Sequence, residues 1–279
     1  MECSIPPAGC NHLMNRDDEW RTFWEKTAER SGSDFEYDRG RSPRHKEIEE
    51  LSNQELLSFI DPNPSEVVLD AGCGSGANIF LLHQKVQRLI GMDYNRGALE
   101  RCARRILFNK IENVELMQGD ATSLPLPDSS VDKVLCMSVL QYLTDAEVRK
   151  SFAEFVRILK DRGIVILHVK NISSLYLSTL WTAKKAKLFL GMKTKLEHLR
   201  SYRWYVKQLE SFGFEVLAYN SFNLFMVESM PKRLLLFFQK LELKYYDKFP
   251  LRLGFMRRRG SELKIKARIA KTPLFSSRS

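Results

Sequence analysis

The stretch at residues 67–76, Val-Val-Leu-Asp-Ala-Gly-Cys-Gly-Ser-Gly, constrains the fold more than any other part of this chain. Its consecutive apolar residues predict a strand buried on both faces, which requires a sheet covered by helices on each side. The strand ends in an acid, and glycines follow at alternate positions 72, 74 and 76. Glycine tolerates positive φ and lets a ligand approach the main chain closely. A helical pattern follows at once, so the segment reads as strand, tight turn and helix.

The alternation continues downstream. The pattern predicts strands over 66–71, 87–94, 114–119, 131–138 and 163–170, with helices over 77–85, 96–109 and 145–159 between them. A helix over 201–212 and strands over 214–219 and 262–269 follow. Repeated β-α units of this length predict an α/β fold, with a mostly parallel sheet of seven strands and helices on both faces. Upstream, Trp20, Phe23, Trp24 and Ala28 share one helical face. A polar loop covers 31–45, and a helix over 46–60 stops at Asp61-Pro62-Asn63-Pro64. The expected organisation is an N-terminal tail and helical lid over 1–62, then a main domain over 63–279. Two stretches, about 172–200 and 223–259, interrupt that domain.

The net charge of +10 is divided unevenly over the 279 residues. Residues 1–162 hold 21 basic and 27 acidic side chains, and residues 163–279 hold 23 and 7. An acidic half joined to a strongly basic half predicts that the second half meets something anionic. The five cysteines (3, 10, 73, 102 and 136) include no C-x-x-C pair and no neighbouring histidine cluster, which predicts free thiols and no metal site. No apolar run approaches the roughly 20 residues that span a bilayer. The expected location is cytoplasmic, with any membrane contact peripheral and at an inner face.

Taken alone, a glycine-rich β-α turn also suits a dinucleotide-binding enzyme, whose usual spacing is G-x-G-x-x-G. Here the spacing is D-x-G-x-G-x-G. With the motifs that follow it in order, residues 60–171 resemble the class I S-adenosylmethionine-dependent methyltransferases, and look closest to their quinone-biosynthesis-like small-molecule branch. The resemblance implies a Rossmann-like, doubly wound sheet with an antiparallel last strand, and S-adenosylmethionine as cofactor. It assigns Asp70, Gly72, Cys73, Gly74 and Gly76 to the turn around the methionine part of the cofactor. Asp93 matches the acid that binds the ribose hydroxyls, with Tyr94 beside the adenine. Asp120 and Ala121 match the motif whose acid accepts from the adenine amino group. Ser138, followed by Val139-Leu140-Gln141-Tyr142, matches the segment near the transferred methyl. The run Asp161-Arg162-Gly163 departs from the Pro-Gly-Gly that the family more often carries there.

The residues themselves point the same way. Asp70, Asp93, Asp120 and Ser138 all fall at the carboxyl ends of successive predicted strands, the edge where open α/β sheets bind ligands. A diol and an amino group both donate to ionised carboxylates. Each assignment has a plainer alternative: Asp70 pinning its own turn, Asp120 capping a helix, Cys73 filling space. His168, near the end of the fifth strand, is the candidate general base, since imidazole takes a proton near neutral pH. Gln141, Tyr142 and Asn171 are candidate substrate-binding residues. Tyr37, Asp38 and Arg39 are candidates for closing over the cofactor.

Most of the basic excess lies in the two interruptions, interleaved with Leu180, Trp181, Phe189, Leu234 and Phe238 among others. A basic amphipathic segment can lie in a membrane interface. The expected function is methyl transfer, to oxygen, on a lipophilic or lipid-linked small molecule of quinone-precursor or glycolipid type, with an anionic membrane surface as partner. The alternatives are an RNA methyltransferase using the same basic half and a non-catalytic S-adenosylmethionine-binding protein. Nucleic acid is the weaker partner, because no recognised RNA-binding module is appended.

Overall fold

The computed structural model describes residues 22–27, 46–192, 197–222, 233, 237 and 260–270. The tail, the 31–45 loop with Tyr37, Asp38 and Arg39, and almost all of the second interruption lie outside the described residues.

The elements, in chain order, are helix α1 (Lys46–Ile60), strand β1 (Val67–Ala71), α2 (Ala77–Leu82), β2 (Arg88–Asp93), α3 (Arg96–Phe108), β3 (Val114–Gln118), β4 (Val131–Met137), α4 (Asp145–Ile158), β5 (Leu159–Lys170), α5 (Leu175–Phe189), α6 (Tyr202–Ser211), β6 (Phe214–Phe222) and β7 (Glu262–Ile269). A helical turn covers residues 22–27, and single 3-10 turns cover His83–Lys85 and Leu140–Tyr142. The strands form one seven-stranded sheet in the order β3-β2-β1-β4-β5-β7-β6. Neighbours from β3 to β5 pair in parallel, and β7 runs antiparallel to both β5 and β6. The expected sheet and its antiparallel last strand are therefore present. One expected helix is shorter, since the run over 77–85 leaves the α-helix after Leu82 for a 3-10 turn. The interruption over 172–200 carries α5.

Strand periodicity builds the core. Successive residues of β1 face opposite ways, Val68 into one apolar layer and Leu69 into the other, both fully buried. The first layer joins the sheet to Ile60 of α1, Ile79 and Leu82 of α2, and Leu99 and Ile106 of α3. The second joins it to Phe152 and Phe155 of α4 and Tyr205 and Leu209 of α6. Helix starts are set locally. Asn95 accepts from Ala98 N–H, Ser201 accepts from Trp204 N–H, and Thr144 and Glu147 form a reciprocal capping box.

The strand order places the site. The chain goes outward from β1 to β3, then returns to the other side of β1 with β4. A crevice opens at the carboxyl ends of the strands where the winding reverses. Glu55 of α1 reaches across the sheet and ion-pairs with Lys264 of β7, while accepting from Asn220 Nδ2 of β6 at 2.9 Å. The pair ties the N-terminal helix to the last two strands.

Candidate active site

The turn after β1 is held by its own backbone. Gly72, Gly74 and Gly76 have φ of 86°, 56° and 97°, all left-handed. At Gly72 a Cβ would lie 2.2 Å from Val139 Cγ2, and at Gly76 one would lie 2.6 Å from Cys102 Sγ. Glycine is required there both by torsion and by space. The N–H groups of Gly72 and Cys73 donate to Met92 O at 2.7 and 3.0 Å, which docks the turn on the end of β2. Arg105 lies over the Phe80 ring and donates to Ser75 O at 2.7 Å, clamping the turn from α3.

Asp93 ends β2 and is buried. Its Oδ2 accepts from Gly74 N–H at 2.9 Å and its Oδ1 from Asn95 N–H at 2.8 Å. Burial pushes its carboxyl above the usual carboxylate range. The N–H donors of Asn95 and Gly74 pull the other way, and the nearby Asp120 charge adds to the rise. An ionised carboxylate offers about four acceptor positions, so the two backbone bonds leave capacity for a diol. Asp70 is fully buried, and its two oxygens lie 3.3 and 3.2 Å from Asn78 Nδ2 of α2. Asp120 is also buried, and its Oδ1 accepts from the N–H and the hydroxyl of Thr122. Asp120 therefore closes a turn after β3 rather than capping a helix. Ala121 beside it is buried.

Cys73 lies buried under the turn, and burial holds its thiol far above the ordinary value, with the charge on Asp93 adding to the rise. A thiol in that state is an inert filler. Tyr94 is half-buried and its carbonyl accepts from Gln118 Nε2 at 3.0 Å.

On the other side of the crevice, Ser138 follows β4 with φ of 62° and an exposed side chain. Its N–H donates to His168 O at 2.7 Å, and its Oγ lies 3.2 Å from His168 Nδ1. His168 Nε2 in turn lies 3.1 Å from Glu262 Oε2. Gln141 is buried in the 3-10 turn, and its main-chain oxygen accepts from His198 N–H at 2.8 Å. Asn171 is fully buried, donates from Nδ2 to Gly260 O at 3.0 Å and accepts Ser173 N–H. That amide is spent on joining strand ends, so its contribution is to hold the wall of the crevice.

The sequence reading did not foresee three contacts of the site. Glu262 pairs with His168 because β7 inserts beside β5. Arg200, almost fully buried, donates to the carbonyls of Leu140 and Leu143 and pairs with Asp145 at 2.8 Å, so it fixes the wall that carries Gln141 and Tyr142. Trp24 meets the Tyr142 ring edge-on, with centroids 5.7 Å apart, and also packs against Ala98 in the first turn of α3. Nothing in local periodicity pairs these residues, which lie far apart in the chain.

The strand ends leave polar groups that a ligand could satisfy. Among the described residues, three buried side-chain polar atoms at this edge have no protein partner: Asn95 Nδ2 after β2, Gln118 Oε1 ending β3 and Gln141 Oε1 after β4. Such atoms are costly when unsatisfied and mark where a ligand belongs. They offer both a donor and acceptors, chemistry that suits a ligand with hydroxyls, an amino group and ring nitrogens. No group of metal-ligating side chains occurs among the described residues.

Comparison with known proteins agrees. Residues 68–163 match a family described as a methyltransferase domain. The chain is 36% identical over 100 residues to the uncharacterized methyltransferase YcgJ of Bacillus subtilis, covering 36% of this chain and 39% of that protein. It is 32% identical over 104 residues to a probable S-adenosylmethionine-dependent methyltransferase of Mycolicibacterium smegmatis, covering 37% and 38%. The match thus spans about two fifths of the length of these relatives. In structure, the chain resembles phosphoethanolamine N-methyltransferase 1 of Haemonchus contortus, solved with phosphoethanolamine and S-adenosylhomocysteine. That likeness has a TM-score of 0.66 and 18% identity over 92% of this chain and 49% of the other. Residues 68–163 thus match the methyltransferase domain family, and a relative named as S-adenosylmethionine-dependent supports S-adenosylmethionine as the cofactor.

Proposed function

We propose that the whole protein transfers a methyl group from S-adenosylmethionine to a hydroxyl oxygen of a lipophilic or lipid-linked small molecule. The cofactor supplies a sulfonium-bound electrophilic methyl; the protein has to orient the acceptor and remove its proton. The observation that carries the oxygen reading is His168, held by Ser138 and Glu262 at the carboxyl end of β5. A base in reach of the acceptor serves a hydroxyl, which must lose a proton as it is methylated.

The acceptor class is read from α5. Trp181 anchors this helix by donating from Nε1 to Glu197 O, and Lys185 lies over its ring at 3.8 Å. Beyond that anchor Phe189, Leu190 and Met192 are 91%, 73% and 52% exposed, close in sequence to Lys184, Lys185 and Lys187. Exposed apolar side chains beside lysines suit the boundary of an anionic membrane, where a lipid-linked acceptor resides. No helix among the described residues is long and apolar enough to cross a bilayer. The structural relative solved with phosphoethanolamine binds a molecule that carries a phosphate, a group that the basic second half of this chain would favour.

The deciding experiment supplies methyl-labelled S-adenosylmethionine to total lipid extract and, in parallel, to total RNA. Label is expected in the organic phase on an oxygen. Label confined to RNA would overturn the reading in favour of an RNA methyltransferase. Cofactor binding by calorimetry with no transfer to either fraction would favour a binding protein.

A further inference from the structure

We propose that Ser138, His168 and Glu262 form a proton relay, in which Glu262 is the positioning residue that decides which nitrogen of His168 carries the lone pair offered to Ser138. The inference rests on the oxygen-methylation reading above and deepens it. Three strand ends contribute: Ser138 follows β4, His168 lies near the end of β5, and Glu262 begins β7. The antiparallel register places His168 opposite Lys264 and Lys170 opposite Glu262, so all four share one sheet face. The flanking lysines have carboxylate partners of their own. Lys264 pairs with Glu55, and Lys170 pairs with Glu197. Glu262 Oε2 faces His168 Nε2 at 3.1 Å.

The chemistry follows from donors and acceptors. An ionised carboxylate only accepts, so the hydrogen between Glu262 and His168 sits on Nε2. Nδ1 then carries the lone pair and accepts from the Ser138 hydroxyl, 3.2 Å away. Ser138 is exposed, and its residue is held in a left-handed conformation that is rare outside glycine. The next residue, Val139, fills the space above Gly72, so the relay abuts the glycine turn. When the acceptor oxygen takes the methyl, its proton passes to Ser138 Oγ as the serine proton passes to Nδ1. The positive charge lost by the sulfonium thus ends on an imidazolium beside the Glu262 carboxylate. One proton is taken up per methyl delivered, and no further reactant is needed.

The tautomer can be read without a substrate. In the full chain labelled with nitrogen-15 at histidine, His168→Gln assigns the resonance among the five histidines. The expected neutral tautomer is Nε2–H. Glu262→Leu should mix the tautomers, whereas Glu262→Gln, which keeps an acceptor oxygen, should preserve Nε2–H. With an acceptor from the lipid-extract experiment, both variants should lower kcat roughly tenfold or more, with cofactor affinity within about twofold. An Nδ1–H tautomer in the unmodified protein, or a tautomer untouched by Glu262→Leu in a folded variant, would overturn the relay. Absence of transfer to any hydroxyl overturns the reading it rests on, and the tautomer assignment tells the two failures apart.

Discussion

Asp93 Oδ2 accepts the backbone N–H of Gly74 across 2.9 Å, so the acid that ends β2 is tied to the glycine turn that follows β1. One carboxylate thereby fixes the turn, and its remaining acceptor capacity is the proposed place for the ribose hydroxyls. Asp93→Ala removes a charged acceptor from both tasks. Hydrogen bonds to charged groups are worth about 1.5–3 kcal/mol. Calorimetry with S-adenosylhomocysteine should therefore show binding weakened at least tenfold; unchanged affinity would remove Asp93 from the site.

The same carboxyl predicts a pH dependence. Burial raises its value in the fold above that in the unfolded chain. Between the two values the native state holds more protons than the unfolded state, so stability falls as pH rises through that window. Ligand hydroxyls favour the ionised form, so cofactor affinity should fall as pH drops through the raised value. Asp93→Asn should abolish both dependences. Urea denaturation and calorimetry across the acid range would show it.

Glycine substitutions separate torsion from space. Gly213→Ala meets open surroundings at φ 81° and should cost only the left-handed penalty, about 1 kcal/mol. Gly76→Ala pays that penalty and places a methyl 2.6 Å from Cys102 Sγ. A further loss of about 1–3 kcal/mol is expected from overpacking. Equal losses in thermal denaturation would refute the steric argument.

Breaking the Glu55–Lys264 pair removes the larger of two carboxylate contributions to a buried ammonium, the other being the Glu262 charge. Glu55→Ala should cost about 3 kcal/mol and loosen α1, measurable by denaturation and amide exchange. Burial lowers the Lys264 value despite Glu55. The unfolded state therefore binds more protons between the folded and unfolded values, and stability rises with pH in that alkaline window. Without the Glu55 charge the folded value drops further and the window widens.

The proposed membrane contact is tested at the end of α5. Phe189→Glu with Leu190→Glu replaces two exposed apolar side chains by acids. Burying such a side chain is worth about 1.5–3 kcal/mol. Co-sedimentation with anionic vesicles at low salt should fall more than tenfold, with cofactor binding unchanged. Equal sedimentation of variant and parent would exclude this surface.

Much of this architecture was legible in one dimension. The alternation of apolar runs and the turns between them located all seven strands, because strand burial and helix amphipathy are local patterns. The run Asp70 to Gly76 announced the site because positive φ demands glycine. What stayed hidden had long-range causes. The acceptor of the Asn171 amide, Gly260 O, lies 89 residues along the chain. The partner of Glu55 lies 209 residues along the chain.

By itself, then, the sequence determined the strand and helix order, the glycine turn, the acid that ends β2 and the acid that follows β3. It also placed His168 near the end of its strand. Only the tertiary structure decided what surrounds His168. The insertion of β7 antiparallel beside β5 brings Glu262 to its far nitrogen, and the left-handed turn at Ser138 brings a hydroxyl to the near one. The physical reason is that hydrogen bonding between strands sets which side chains share a face, and that pairing depends on contacts the local sequence does not encode.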